Sequence, residues 1–156
     1  MNEENDFLGR GWAFPPAFIK ATDEWGSVKE SYVQMVAAKE DIEQSLEILL
    51  STSFGERVMQ PQFGCNLSDY QFESMSNTLI GFIKDTVENA ILYYEPRIEM
   101  EDISVSQADF WDAIQGFLRI EISYRILTTN SRSNFVYDFY LKDMQPNEAK
   151  TGSSTL

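Results

Sequence analysis

Phe117-Leu118-Arg119-Ile120-Glu121-Ile122-Ser123-Tyr124-Arg125-Ile126-Leu127 is the stretch from which the fold of this 156-residue chain is read. Leu118, Ile120, Ile122, Tyr124 and Ile126 alternate with Arg119, Glu121, Ser123 and Arg125. Successive side chains of a strand point to opposite faces, so the alternation is that of a half-buried β-strand. Gly116 precedes it in a turn, and the polar run 128–134 follows it as a loop. Phe135 to Leu141 then reads as a second strand, closing a hairpin. Phe135, Tyr137 and Phe139 fall on one face of that strand and Tyr140 on the other. A strand apolar on both faces is either central in its sheet or covered by something else. At a sheet edge, its unpaired backbone would invite another chain to pair.

Working back from the hairpin, Ile98, Met100, Ile103 and Val105 predict a strand with an irregularity between its halves. Before it, Glu95-Pro96-Arg97 marks a helix-to-strand corner, because the residue before a proline avoids the helical region. The helix that ends there is predicted over 74–93, with Met75, Leu79, Phe82, Ile83, Thr86 and Ala90 as its stripe. A first helix is predicted over 39–52. Ile42, Leu46, Leu49 and Leu50 lie on one face, and Glu40, Asp41 and Glu43 sit where the helix dipole favours negative charge. Gly55 stops it, and a loop containing Pro61 and Gly64 runs on to Leu67. Helices precede strands without βαβ alternation, so the class is α+β. Two main helices pack on one face of a small, mainly antiparallel sheet with a C-terminal β-hairpin.

Residues 1–38 lack periodicity and form an extended N-terminal arm, with Trp12, Trp25, Pro15, Pro16, Gly9, Gly11 and Gly26 along it. Phe14-Pro15-Pro16 is expected to be extended. The aromatics of the arm lie either on their own domain or on a partner, since aromatic side chains dominate cores and interfaces alike. The domain proper is expected over 39–145, and 146–156 as a flexible polar tail.

Composition narrows the function. The chain has 12 basic and 25 acidic side chains, a net charge of −13, one cysteine and no histidine. Without histidine there is no Ser-His-Asp or Cys-His nucleophile and no common zinc site. A surface this acidic repels nucleic acid phosphates and anionic lipid. No apolar run reaches the length of about 20 residues that a membrane helix needs. The start MNEENDF lacks the basic and apolar regions of a secretory signal, which implies folding in the cytoplasm. Catalytic, cofactor and metal residues are therefore expected to be none, and no small-molecule substrate is expected.

The acids themselves are the residual candidates. Glu99, Glu101, Asp102, Asp109 and Asp112 lie between 99 and 112 without an intervening base. A glycoside hydrolase needs two carboxylates, and Glu56, Glu73 or Glu95 could supply one of a pair. No spacing selects a pair, and the D-x-D-x-D-G calcium pattern is absent. Cys65 sits beside Gly64 with no histidine to lower its pKa, so it reads as structural. Arg97 either forms a surface ion pair or offers its planar fork to a partner carboxylate.

Taken in order, four stretches resemble the gene-25-like baseplate family of contractile tails, whose members occur in phages, type VI secretion and extracellular injection systems. They are Phe7 to Pro15, Gly55-Glu56-Arg57 to Phe63-Gly64, Glu95-Pro96-Arg97-Ile98, and the run from Tyr124 to Leu141. The resemblance covers about residues 7–142. Asp138 departs from it, standing where many relatives have proline.

The resemblance implies a structural baseplate wedge component that initiates the contractile sheath by offering a β-strand platform to its first ring. Sheath protein would add strands beside Ile122, Tyr124, Ile126, Phe135, Tyr137, Phe139 and Leu141. Glu95, Pro96 and Arg97 would dock on wedge core proteins or brace the domain corner. Gly55, Glu56, Arg57, Phe63 and Gly64 would shape the loop after the first helix. Arg10, Trp12, Phe14 and Pro15 would carry the arm onto its neighbours. Hub, spike or tube-initiating proteins are further partners that the resemblance admits. Two other classes compete with it: a carboxylate-based, lysozyme-like glycoside hydrolase, and an acidic adaptor of another assembly.

Overall fold

A computed structural model describes residues 9–22, 28–70, 73, 74, 76–107 and 117–140. Strands β1 (Arg10–Trp12), β2 (Phe18–Thr22), β3 (Val28–Val33) and β4 (Met35–Ala37) lead into helix α1 (Ala38–Ser51). A 3₁₀ turn (Leu67–Tyr70) and helix α2 (Asn77–Tyr94) follow, then β5 (Ile98–Ser106), β6 (Phe117–Ile126) and β7 (Ser131–Tyr140).

The three C-terminal strands form one antiparallel sheet in the order β5-β6-β7, with α1 and α2 over its inner face. Ile42, Leu46, Leu49 and Leu50 of α1 are buried as the periodicity predicts. So are Leu118, Ile120, Ile122, Tyr124 and Ile126, which point from the central strand into the core. The irregularity in β5 is a register shift between Met100 and Asp102, one extra residue opposite β6. The outer face of the sheet carries ion pairs. Arg125 meets Glu99 and Glu101, Arg132 meets Glu101, and Arg119 meets Asp138.

The α2 stripe is rotated from the one predicted. Leu79, Ile83, Val87, Ala90 and Ile91 are buried, whereas Phe82 is exposed. The helix begins at Asn77, because the Ser76 hydroxyl accepts a hydrogen bond from the Leu79 N–H at 3.1 Å and caps it. The loop predicted over 128–134 is shorter, since β7 already starts at Ser131 and pairs with Ile126.

The arm differs most from expectation. β1 pairs with β4 and β2 with β3, giving two antiparallel ribbons where an irregular arm was expected. The β2–β3 ribbon is exposed without alternation, and β1 and β4 alternate over only three residues each, too short for an apolar pattern to announce a strand. Residues 14–15 bend rather than extend, and the Phe14–Pro15 peptide is cis. Trp25, Met75, Asp109, Asp112, the Gly116 turn, Leu141 and the tail 146–156 lie outside the described residues, as does the side chain of Tyr140.

Candidate functional site

Pro96 ends α2, and the chain turns into β5 over residues 95–98. Glu95 caps the helix, its N–H bonding to the Ile91 carbonyl at 2.9 Å, and its side chain is only 2 % exposed. A carboxylate buried to that degree requires a cation. Arg97 supplies it with a two-pronged contact, Nε to Oε1 at 2.6 Å and Nη2 to Oε2 at 2.8 Å. The remaining prong, Nη1, reaches Asp41 Oδ2 on the first turn of α1 at 2.6 Å. These carboxylates hold the guanidinium charged, raising its pKa further. The Arg97 carbonyl also accepts the Leu127 N–H at 3.0 Å, tying the corner to the end of β6.

The arm closes over this corner. A Cβ on Gly11 would overlap the Asp41 carboxylate and force it to shift from where Arg97 holds it, so glycine suits the close approach of β1 to α1. The Phe14 N–H donates to Gln44 Oε1 at 2.9 Å. Arg10, Trp12, Phe14 and Pro15 all remain exposed.

The 52–64 loop completes the surface. Ser53 donates its N–H to Glu56 Oε2 at 2.8 Å, and Gly55 donates to the Pro61 carbonyl at 2.8 Å. Gly64 sits at φ +126 with no room for a Cβ against the Thr52 carbonyl. The Arg57 guanidinium lies 3.7 Å above the Phe63 ring, which packs edge-on to Tyr94. Trp12, Asp41, Gln44, Arg57, Phe63 and Arg97 line one cavity of about 250 Å³. Three stretches that looked separate in sequence thus meet at one place. Asp41 and Gln44 were missed as members of it. In the sequence Asp41 is only one of several acids in a helix first turn, with nothing to mark its pairing with Arg97.

The second candidate is the sheet edge. Ile122, Tyr124 and Ile126 lie on β6, whose backbone is paired on both sides, so they cannot meet an incoming strand. Phe135, Tyr137 and Phe139 lie on β7, which among the described residues is an edge strand and not the central one. Its ten-residue register carries no shift, whereas the opposite edge, β5, is bulged. Leu50, Cys65, Leu67, Tyr137 and Phe139 line a cavity of about 300 Å³ between α1 and this edge. Burial pushes the Cys65 thiol up to about 12, so it stays protonated and inert there.

Four of the described acids that might have formed a catalytic pair have other partners. Glu95 is held by Arg97, Glu99 and Glu101 by Arg125, and Glu56 by a backbone N–H. Among the described residues no cluster of acids or Cys65 is arranged to hold a metal ion.

The sequence pattern of the baseplate wedge protein gp25 family matches residues 36–131. The chain belongs to that family. The match takes in Asp41, the 52–64 loop, the corner and β6, but is narrower than the 7–142 read from the sequence, and it leaves out the stretch Phe7 to Pro15. The baseplate wedge protein gp25 of Enterobacteria phage T4 is 38 % identical over 64 residues, covering 41 % of this chain. That alignment spans 48 %, about half, of the T4 protein. A protein of Geobacter sulfurreducens described as a candidate tail lysozyme has 43 % identity and a TM-score of 0.63, covering 70 % of this chain and 96 % of its own. A chain in the sixfold-symmetrised baseplate of the anti-feeding prophage has 30 % identity and a TM-score of 0.64, covering 79 % and 89 %. For this gp25-family chain, no described helix is long and apolar enough to cross a membrane.

Proposed function

We propose that the chain is a structural component of the baseplate wedge of a contractile injection machine, and that it starts the sheath by accepting a strand along β7. Family membership supports the baseplate part. The single observation that carries the strand-accepting part is the unbulged, ten-residue strand β7, unpaired on its outer side among the described residues, beside a cavity of about 300 Å³. Backbone hydrogen bonds along that edge give affinity, and side chains entering the cavity give register. The corner around Arg97 has a different part. Arg97 is spent on Glu95 and Asp41, so it shapes the docking face while exposed Pro96 and the cavity mouth meet the wedge proteins. The particle is assembled from chains folded in the bacterial cytoplasm, with sheath and wedge proteins as partners.

Successive residues of a strand turn their N–H groups to opposite edges, so one of Val136 and Tyr137 faces β6 and the other faces out. Proline is tolerated at an edge only where its missing N–H points to solvent. Val136→Pro and Tyr137→Pro are therefore made separately and checked for folding by circular dichroism. The folded variant is expected to enter baseplates yet fail to nucleate full-length sheath. Full-length sheath from it would remove the strand-accepting role.

The likeness to a candidate tail lysozyme favours one competing reading, a carboxylate hydrolase. The arginine partners of Glu95, Glu99 and Glu101 support a non-enzymatic role instead. Incubation with peptidoglycan separates the two. Turnover abolished by replacing one particular Glu or Asp would establish the hydrolase.

A further inference from the structure

We propose that the strand accepted along β7 is recognised by two of its side chains: an apolar one that fills the cavity beside Phe139, and a lysine or arginine two residues away beside Glu47. The proposal rests on the strand-accepting reading above and adds the chemistry of the partner. The edge itself fixes the form of the occupant. Among the described residues β7 pairs only with β6. Its outward N–H and C=O groups are met as a row only by another extended backbone. The inner apolar layer is also unfinished there. Ile120 and Ile122 of β6 are each 0 % exposed, but the residues paired with them on β7, Tyr137 and Phe135, are only half-buried. An added strand turns every second side chain into that layer, toward the flank of α1.

The cavity selects the first of these side chains. Leu50, Cys65, Leu67, Tyr137 and Phe139 form its apolar walls. The serine hydroxyls around it already have partners. Ser51 donates to the Ile48 carbonyl at 3.3 Å, and the Ser53 and Ser68 hydroxyls bond each other at 3.3 Å. Asp138, at the rim, is taken by Arg119 at 3.2 Å. A polar side chain entering here exchanges water for mainly apolar walls, which is unfavourable, whereas an apolar one leaves water for close contact.

Charge selects the second. Glu47 lies on α1 one turn before Ser51, exposed and without an ion pair among the described residues. Glu43, a turn earlier still, is already met by Lys39 at 3.2 Å. The Glu47 carboxylate stands near Tyr137, whose hydroxyl is pushed up by burial, by Cys65 and by Glu47. The spacing also matches. The four residues from Glu47 to Ser51 rise about 6 Å, and successive inward side chains of a strand are about 7 Å apart. One inward step from the cavity therefore brings the incoming strand to Glu47, where a cation is attracted and an acid repelled. The net charge of −13 strengthens that preference at longer range.

The full chain, labelled with nitrogen-15, is titrated with a capped peptide in which threonine alternates with valine, leucine, lysine and valine, and with the same peptide in reverse order to cover parallel pairing. One order is expected to bind and to shift the amides of Glu47, Ser51, Tyr137 and Phe139. Replacing the peptide's lysine by glutamate, or its leucine by threonine, should weaken binding about tenfold. Glu47→Lys in the chain should erase the preference for lysine over glutamate, and Glu88→Lys on the exposed side of α2 should preserve it. No binding by either order, equal binding of the lysine and glutamate peptides, or loss of the preference in Glu88→Lys would overturn the proposal. The proline variants of β7 judge the underlying reading separately. Sheath nucleation lost in a folded proline variant, with no peptide preference, would leave strand acceptance standing and remove only the two-point recognition. Full-length sheath from that variant would remove both.

Discussion

At the residue scale, Arg97 is the side chain on which most of the corner depends. Arg97→Ala strands a buried carboxylate at Glu95 and removes the link to Asp41. Removing one partner of a buried pair costs about 3 kcal/mol. The urea midpoint should fall accordingly, and part of the loss should return on adding Glu95→Gln, since the uncompensated charge is then gone. An unchanged midpoint for Arg97→Ala would show that the pair does not brace the fold. Copurification with wedge proteins, measured on the folded fraction, tests the docking side of the same residue. Gly64→Ala is expected to cost more than Gly55→Ala, because both sit at positive φ but only Gly64 faces a fixed backbone carbonyl. Thermal unfolding of the two variants makes the comparison. Cys65 and Tyr124 set the alkaline limit. Burial raises both to about 12, and for Tyr124 the negative charges of Glu43 and Glu95 add to it. In the unfolded chain these groups lose their protons near the ordinary values of 9.0 and 10.0, while the folded chain keeps them. Above about pH 9 the folded state thus binds more protons, and its stability falls as pH rises toward 12. The slope of urea midpoint against pH between 9 and 11 should flatten in Tyr124→Phe and in Cys65→Ala. The same slope in both variants and the parent would show that neither group drives it.

At the element scale, legibility tracks how completely one face of an element is buried. β6 was readable to within a residue because its inner side chains are all in the core and its outer ones from Arg119 onward are all polar. α1 was readable for the same reason. α2 was placed correctly but turned, since Phe82 is apolar without being core. Apolarity cannot distinguish a residue that faces the interior from one that faces a partner. The ribbons β1–β4 were invisible because they bury almost nothing and are held by cross-strand backbone bonds, which leave no trace in side-chain pattern. Two-stranded ribbons are marginal alone. Hydrogen exchange should therefore rank β6 slowest, β7 intermediate and β2–β3 fastest, as read by mass spectrometry of peptic peptides. Slow exchange in β2–β3 of the isolated chain would mean that the ribbon is covered, and the exposure of Phe18 and Tyr32 would have to be reconsidered.

At the scale of the whole molecule, the 25 acids against 12 bases set the terms for every partner. Association with basic neighbours should weaken as salt is raised, because screening shortens the reach of surface charge to about 8 Å at 0.15 M. Titrating preassembled baseplates with sodium chloride and following retention of this chain measures the effect. Retention that is independent of salt would leave apolar and backbone contacts as the whole of the interface. The sequence by itself determined the α+β class, the clearest strand of the hairpin, both helices and the family. Each of these is written in local periodicity or in short ordered motifs, and neither needs knowledge of what lies nearby in space. Only the tertiary structure decided that β7 is an edge among the described strands, that Arg97 is already occupied, and that Gly11 and Asp41 belong to the same corner as Glu95. Those are facts about pairs of residues far apart along the chain, such as Asp41 and Arg97. Such pairs meet only when burial of the core has brought α1, α2 and the arm together.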